Sequence, residues 1–135
     1  VEEDTTIGLV EISTGKAPEA VGPYSQGIMC GDLLFVSGQI GLVPGEKRLV
    51  GPGIEEQTRQ VMDNLMSIID EAGCEVGDLV KLTIYLKDLA DFPVVNGIYG
   101  EYFERPYPAR ATVEVSGIHL GGLVEMDAVA VRRRR

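Results

Sequence analysis

At 135 residues the chain is one domain's worth, and its 44% apolar content, with no Trp and only 6% aromatic residues, implies a mainly aliphatic core. Twelve basic against 21 acidic residues leave a net charge of −9, and four of the twelve form the arginine run at residues 132–135, so the body is more acidic still. Such a surface repels phosphate backbones and anionic membranes. Two cysteines, Cys30 and Cys74, make neither a disulfide framework nor a zinc spacing, and one histidine, His119, excludes a His-rich metal site.

No apolar run reaches the length needed to span a bilayer, and no basic-then-apolar leader follows Val1. The expectation is a soluble cytoplasmic protein with reduced thiols and a single domain over residues 1–135, its acidic residues 1–6 frayed. Leu9 to Ile12 offer an edge strand. Ile28, Met29 and Cys30, then Leu33, Leu34, Phe35 and Val36, flank Gly31-Asp32 and read as a β-hairpin. Residues 42–53 carry Pro44-Gly45 and Gly51-Pro52-Gly53, a loop.

Residues 54–72 predict a helix, with Val61, Leu65, Ile68, Ile69 and Ala72 in one apolar stripe, Glu55 and Glu56 in the first turn and Gly73 as a left-handed stop. Val80, Leu82, Ile84 and Leu86 alternate with Lys81, Thr83, Tyr85 and Lys87, the pattern of a strand with one buried face. Residues 91–103 predict a second helix capped by Asp91, its apolar face made of Phe92, Val95, Tyr99, Tyr102 and Phe103. Gly97 and Gly100 weaken that helix, so it is held by packing or admits another backbone. Residues 112–115 and 124–131 close the chain as two strands. The order implies an α+β fold with both helices on one sheet face, and the uncovered face then needs burial against another subunit.

Three clusters can carry chemistry. Gly22-Pro23-Tyr24-Ser25-Gln26-Gly27 sets a phenol, a hydroxyl and an amide side by side, either as donors at a pocket rim or as a polar turn before a strand. In Ser37-Gly38-Gln39, Gly38 either admits a ligand to the backbone or makes a bulge. In the third, Arg110 stands two residues after Pro108 and shares a strand face with Thr112 and Glu114, while Glu125 and Asp127 share a face of the last strand. Should those strands pair as antiparallel neighbours, Arg110 and Glu125 come close. As a solvated cross-strand pair they are worth under about 1 kcal/mol. As a site, the guanidinium fork grips a carboxylate and the glutamate holds a water and shuttles its proton. That pairing suits a small α-substituted carboxylic acid attacked by water at the neighbouring carbon. Neither a nucleophilic triad nor a P-loop or dinucleotide fingerprint is present.

Gly22-Pro23-Tyr24-Ser25-Gln26, Ser37-Gly38-Gln39-Ile40, Asp91-Phe92 with Val95-Asn96 and Tyr99, Pro108-Ala109-Arg110, and Val124-Glu125 resemble the reactive intermediate deaminase (RidA/YjgF) family. Gln57, Asn64, Ala72-Gly73 and Val80-Lys81 match the same pattern, which runs from Gly22 to Val131. The resemblance implies a chorismate-mutase-like α+β domain assembled as a homotrimer with clefts between subunits. It implies hydrolysis of 2-imino or 2-enamino acids, such as 2-aminoacrylate and 2-iminobutyrate, to 2-keto acids and ammonia, with no cofactor and no metal. On this resemblance Arg110 clamps the substrate carboxylate and Glu125 positions the attacking water. Tyr24 and Ser25 line the pocket, Gly38 presents its backbone at the cleft, and Asn96 supports the site from the second helix.

The chain departs from many relatives at Ile118-His119, where they carry Leu-Pro, at Gly41 and Val43, and at Thr112, where some carry Cys. These positions bear on side-chain preference; the acid-binding residues are intact. A 2-keto acid-binding trimer without turnover also satisfies Arg110, and Glu125 discriminates the two readings. An RNA-cleaving inhibitor of translation is a third reading; the net charge opposes it, with residues 132–135 as a local basic tail in its favour.

Overall fold

In the chain, studied as a computed structural model, residues 8–134 are described; the fraying expected of residues 1–6 lies outside them. Six strands form one sheet: β1 (Leu9–Ile12), β2 (Gly27–Cys30), β3 (Leu33–Ile40), β4 (Leu79–Leu86), β5 (Ala109–Glu114) and β6 (Val124–Val131). Helix α1 (Ile54–Glu71) lies between β3 and β4 in the chain, and α2 (Phe92–Gly100) between β4 and β5. The spatial order is β1-β2-β3-β6-β4-β5, every neighbouring pair antiparallel except β4 and β5. A parallel pair needs a crossover, and α2 supplies it.

The β2–β3 hairpin turns on Gly31, whose φ of 61° lies in the left-handed region that glycine enters without steric cost. α1 starts where the Glu56 carboxylate accepts from the Gly53 N–H at 2.8 Å, and it ends at Gly73, φ 79°, where the Cys74 N–H reaches back to the Ile69 carbonyl at 2.9 Å. Its stripe of Val61, Leu65, Ile68 and Ile69 packs against Leu34 and Val36 of β3 and Met126, Ala128 and Ala130 of β6, while Val95 and Tyr99 of α2 join the same core. Both helices therefore cover one face of a mixed sheet, an α+β fold. The other face carries Leu33, Phe35 (48% exposed) and Val113 in the open.

Four sequence expectations need correction. Val80 is 42% exposed, and Leu79 takes its place in the core, because β4 slips register against β6 between Leu79 and Lys81. A bulge adds one residue and inverts the alternation on one side of it. α2 is shorter than residues 91–103, and the Asp91 side chain does not cap it. Asp88 instead accepts from the Ala90 N–H at 2.9 Å, starting a short 3₁₀ turn, and 3₁₀-type bonds after Ile98 and Tyr99 end the helix while Phe103 stays buried. β5 begins at Ala109, three residues earlier than periodicity suggests. Finally, β5 does not pair with β6: β4 lies between them.

Two of the terminal arginines, Arg132 and Arg133, are engaged with acidic side chains. Arg133 donates to the buried carboxylate of Asp78 at 2.7 Å, and Arg132 reaches Asp32 at 3.4 Å.

Candidate functional site

Arg110 is the second residue of β5 and pairs with Leu82, whose side chain is buried on the helix-covered face. Cross-strand partners share a face, so the guanidinium emerges on the α2 side at the sheet edge. There its Nη1 donates to Oδ1 of Asn96 at 2.8 Å. Its guanidinium carbon lies 5.3 Å from the centroid of the Phe92 ring and 5.0 Å from that of Tyr99. Phe92, Asn96 and Tyr99 follow one another at four and three residues, which places them on one face of α2. Two aromatic faces and one amide thus hold the cation, while no carboxylate among the described residues pairs with it. The guanidinium, Tyr107, Pro108 and Gly100 border a cavity of about 460 Å³ with Asn96 and Tyr99. Burial pushes the Tyr99 phenol above its ordinary range, against the opposing pull of Arg110, and its hydroxyl finds no partner among the described residues.

The second cluster lies on the opposite face. Glu125 pairs with Ile40 on one side and Tyr85 on the other, and its carboxyl lies over Gly38 so closely that a Cβ there would overlap Oε2. The β3 register shifts against β6 between Val36 and Gln39, so Gly38 is both a bulge residue and the seat of the glutamate. Glu125 is held above the usual carboxylate range, chiefly by burial and then by the charge of Asp127; His119 pulls the other way. The Tyr85 hydroxyl donates to Asp127 at 2.8 Å, a bond that raises the phenol, with burial adding to it.

The turn carrying Tyr24 and Ser25 belongs to this second cluster through the backbone. The Ser37 hydroxyl donates to the Ser25 carbonyl, and the Ser37 N–H donates to the Gln26 carbonyl at 2.9 Å. Tyr24 is 50% exposed, and its hydroxyl accepts from the Val21 N–H at 3.4 Å. Gln26 is no rim donor: its buried amide accepts from the Thr14 N–H at 2.7 Å and donates to the Pro18 carbonyl at 2.8 Å, securing the segment before the turn.

The structure therefore brings Arg110 to Asn96, and Glu125 to Gly38, but it does not bring Arg110 to Glu125. Two strand positions separate β5 from β6, and the side chains leave opposite faces. The sequence places Phe92 and Tyr99 on a core face and in the family motif but gives them no site role; their spacing from Asn96 is the available signal. Asp127 and Tyr85 were missed as a pair because β4 and β6 are far apart in the chain. Among the described residues no three His, Cys, Asp or Glu side chains converge as a metal site.

Comparison with known proteins meets this geometry. A family profile described as Endoribonuclease L-PSP matches residues 14–132. A RutC family protein of Pyrococcus abyssi is 47% identical over 121 residues, covering 90% of this chain and 95% of that protein. The human 2-iminobutanoate/2-iminopropanoate deaminase is 42% identical over 121 residues, covering 90% of this chain and 88% of that protein. Among solved structures, E. coli TdcF with bound serine superposes with a TM-score of 0.87 at 35% identity, covering 92% of this chain and 99% of that one. The chain belongs to the RidA/YjgF family of α+β proteins.

Proposed function

We propose that the chain hydrolyses small 2-imino and 2-enamino acids to 2-keto acids and ammonia. The observation that carries this reading is the Arg110 guanidinium, engaged by one amide and two aromatic faces, with no carboxylate partner among the described residues, beside a cavity of about 460 Å³. A substrate carboxylate supplies the missing anion and can accept two parallel hydrogen bonds. Water then adds to C2 of the protonated imine, Glu125 takes the proton from that water, and the tetrahedral carbon carries one hydroxyl and one amino group. Glu125 returns that proton to nitrogen, then takes the hydroxyl proton as the C=O bond forms and ammonia leaves; passing it to the departing ammonia gives ammonium, so atoms and charge balance without a cofactor. A carboxyl held high by burial and Asp127 is suited to both directions of this exchange. An imine carbon is already electrophilic, so placement of acid and water carries most of the demand.

Arg110 and Glu125 leave opposite faces of one chain, so one site needs two copies: the Arg110 cluster of one against the Glu125, Gly38 and Tyr24 cluster of the next. A chorismate-mutase-like homotrimer accomplishes this and also covers the apolar face bearing Leu33, Phe35 and Val113. The names carried by the relatives support the deaminase reading. The acidic net charge weighs against the RNA-cleaving alternative, and two of the four terminal arginines, Arg132 and Arg133, face Asp32 and Asp78. No helix among the described residues is long and apolar enough to cross a membrane, and we place the activity in the cytoplasm.

The test is a threonine dehydratase assay with an imine trap, run with and without the protein, alongside a solution mass. Faster disappearance of the imine and a trimeric mass are expected. An unchanged imine lifetime, with pyruvate still bound, establishes the 2-keto acid-binding trimer instead; a stable monomer overturns the two-copy site.

A further inference from the structure

Two fully enclosed amides on α1 have no place in the chemistry above. Gln57 is 1% exposed and Asn64 0% exposed. They stand seven residues apart, two turns along one helix face. The Gln57 carboxamide donates to the Gly51 carbonyl at 2.9 Å and accepts from the Leu123 N–H at 2.9 Å. Leu123 immediately precedes β6, two residues before Glu125, and its own carbonyl accepts from the Lys87 N–H at 3.1 Å. The Asn64 amide donates to the Ile40 carbonyl at 3.2 Å and the Leu42 carbonyl at 3.0 Å, and its oxygen accepts from Gln60 at 2.8 Å. Ile40 is the β3 residue paired with Glu125.

We infer that Gln57, backed by Asn64, is a positioning residue for Glu125: one rigid helix holds both strand ends that meet at the glutamate, and so sets its carboxyl over Gly38. The inference rests on the deaminase reading of Glu125. A bulge lets β3 slide against β6 between Val36 and Gln39, next to this point, so the pairing alone does not lock the glutamate's height. Hydrogen bonds from a third element remove that freedom. An apolar side chain of similar shape would fill the core, but it would leave the Gly51 carbonyl and the Leu123 N–H without these bonds and could not hold two backbone segments in register. Catalysis is sensitive to such placement, since a misplacement near 1 Å can cost about a hundredfold in rate.

The test uses full-length Gln57→Met, which keeps the length and loses both bonds, and Gln57→Glu, which keeps the acceptor for the Leu123 N–H. Rates on 2-iminobutyrate generated in situ are expressed per folded subunit, well below each melting temperature. We expect kcat to fall about tenfold in Gln57→Met and less in Gln57→Glu, with pyruvate affinity at Arg110 changed less than about twofold. The acidic limb of the kcat–pH profile should move down toward the ordinary carboxylate range as Glu125 leaves its buried seat. A helix anchor without a positioning role lowers only the melting temperature and leaves kcat and the limb in place, which overturns the inference. If Gln57→Met does not fold, Gln57→Glu decides by the same two readouts. A wild-type rate in Glu125→Gln defeats the deaminase reading itself; an inactive Glu125→Gln beside wild-type Gln57 variants defeats only the positioning role.

Discussion

The Arg110 and Glu125 clusters of this chain are built on different principles. Around Arg110 a permanent cation is held at the sheet edge by rings and an amide, and its environment need only orient it. Around Glu125 a titratable group is wedged against backbone at Gly38 and raised by burial and Asp127, so its environment also sets its protonation. On the proposed reading the first cluster binds an acid and the second moves a proton. Removing the first should cost recognition and turnover together; removing the second should cost turnover alone.

That contrast can be broken in a graded series. Arg110→Ala forfeits two charge-assisted hydrogen bonds, and kcat/KM should fall about a thousandfold, with pyruvate binding lost by calorimetry. Glu125→Gln should lower kcat about a hundredfold while pyruvate still binds, and equal losses in both would erase the division of labour. Gly38→Ala drives a methyl into the Glu125 carboxyl; a roughly tenfold loss in kcat is expected, with folding monitored by circular dichroism. Tyr24→Phe should cost about fivefold, the worth of one hydrogen bond, and an unchanged rate would remove that hydroxyl from the site.

Acidity sharpens the same comparison. A glutamate raised in the folded state favours folding fully below its unfolded value, and this contribution is lost as pH rises through its folded value. Above its folded titration the ionised Glu125 is therefore a liability, and there Glu125→Gln should raise the melting temperature by about 2 °C while lowering turnover. For turnover the direction reverses, because the base must be ionised. The rate should fall with acidification at a pH above the ordinary carboxylate range, and a limb at the ordinary value would show that Glu125 is not the titrating group.

Much of this was legible along the chain. The stripe from Val61 to Ile69 predicts α1, Gly31 predicts the hairpin turn, and the alternation around Glu125 predicts β6, because each depends on residues within a few positions of one another. Val80 was misassigned because a bulge is a relation between two strands and leaves no local mark. Gln26 resembled a pocket donor because whether a polar side chain meets a ligand or a backbone carbonyl depends on what folds over it, here the segment at Thr14 and Pro18.

The linear order of residues by itself determined the chemical parts: an arginine able to grip an acid, a glutamate able to carry a proton, and elements with correct periods to hold them. Only the folded sheet decided that β4 separates β5 from β6, putting those two groups on opposite faces. Side-chain periodicity records which face a residue takes within its strand, whereas strand order follows from the α2 crossover and from burial summed over the whole core. Neither can be read from any short window of the chain.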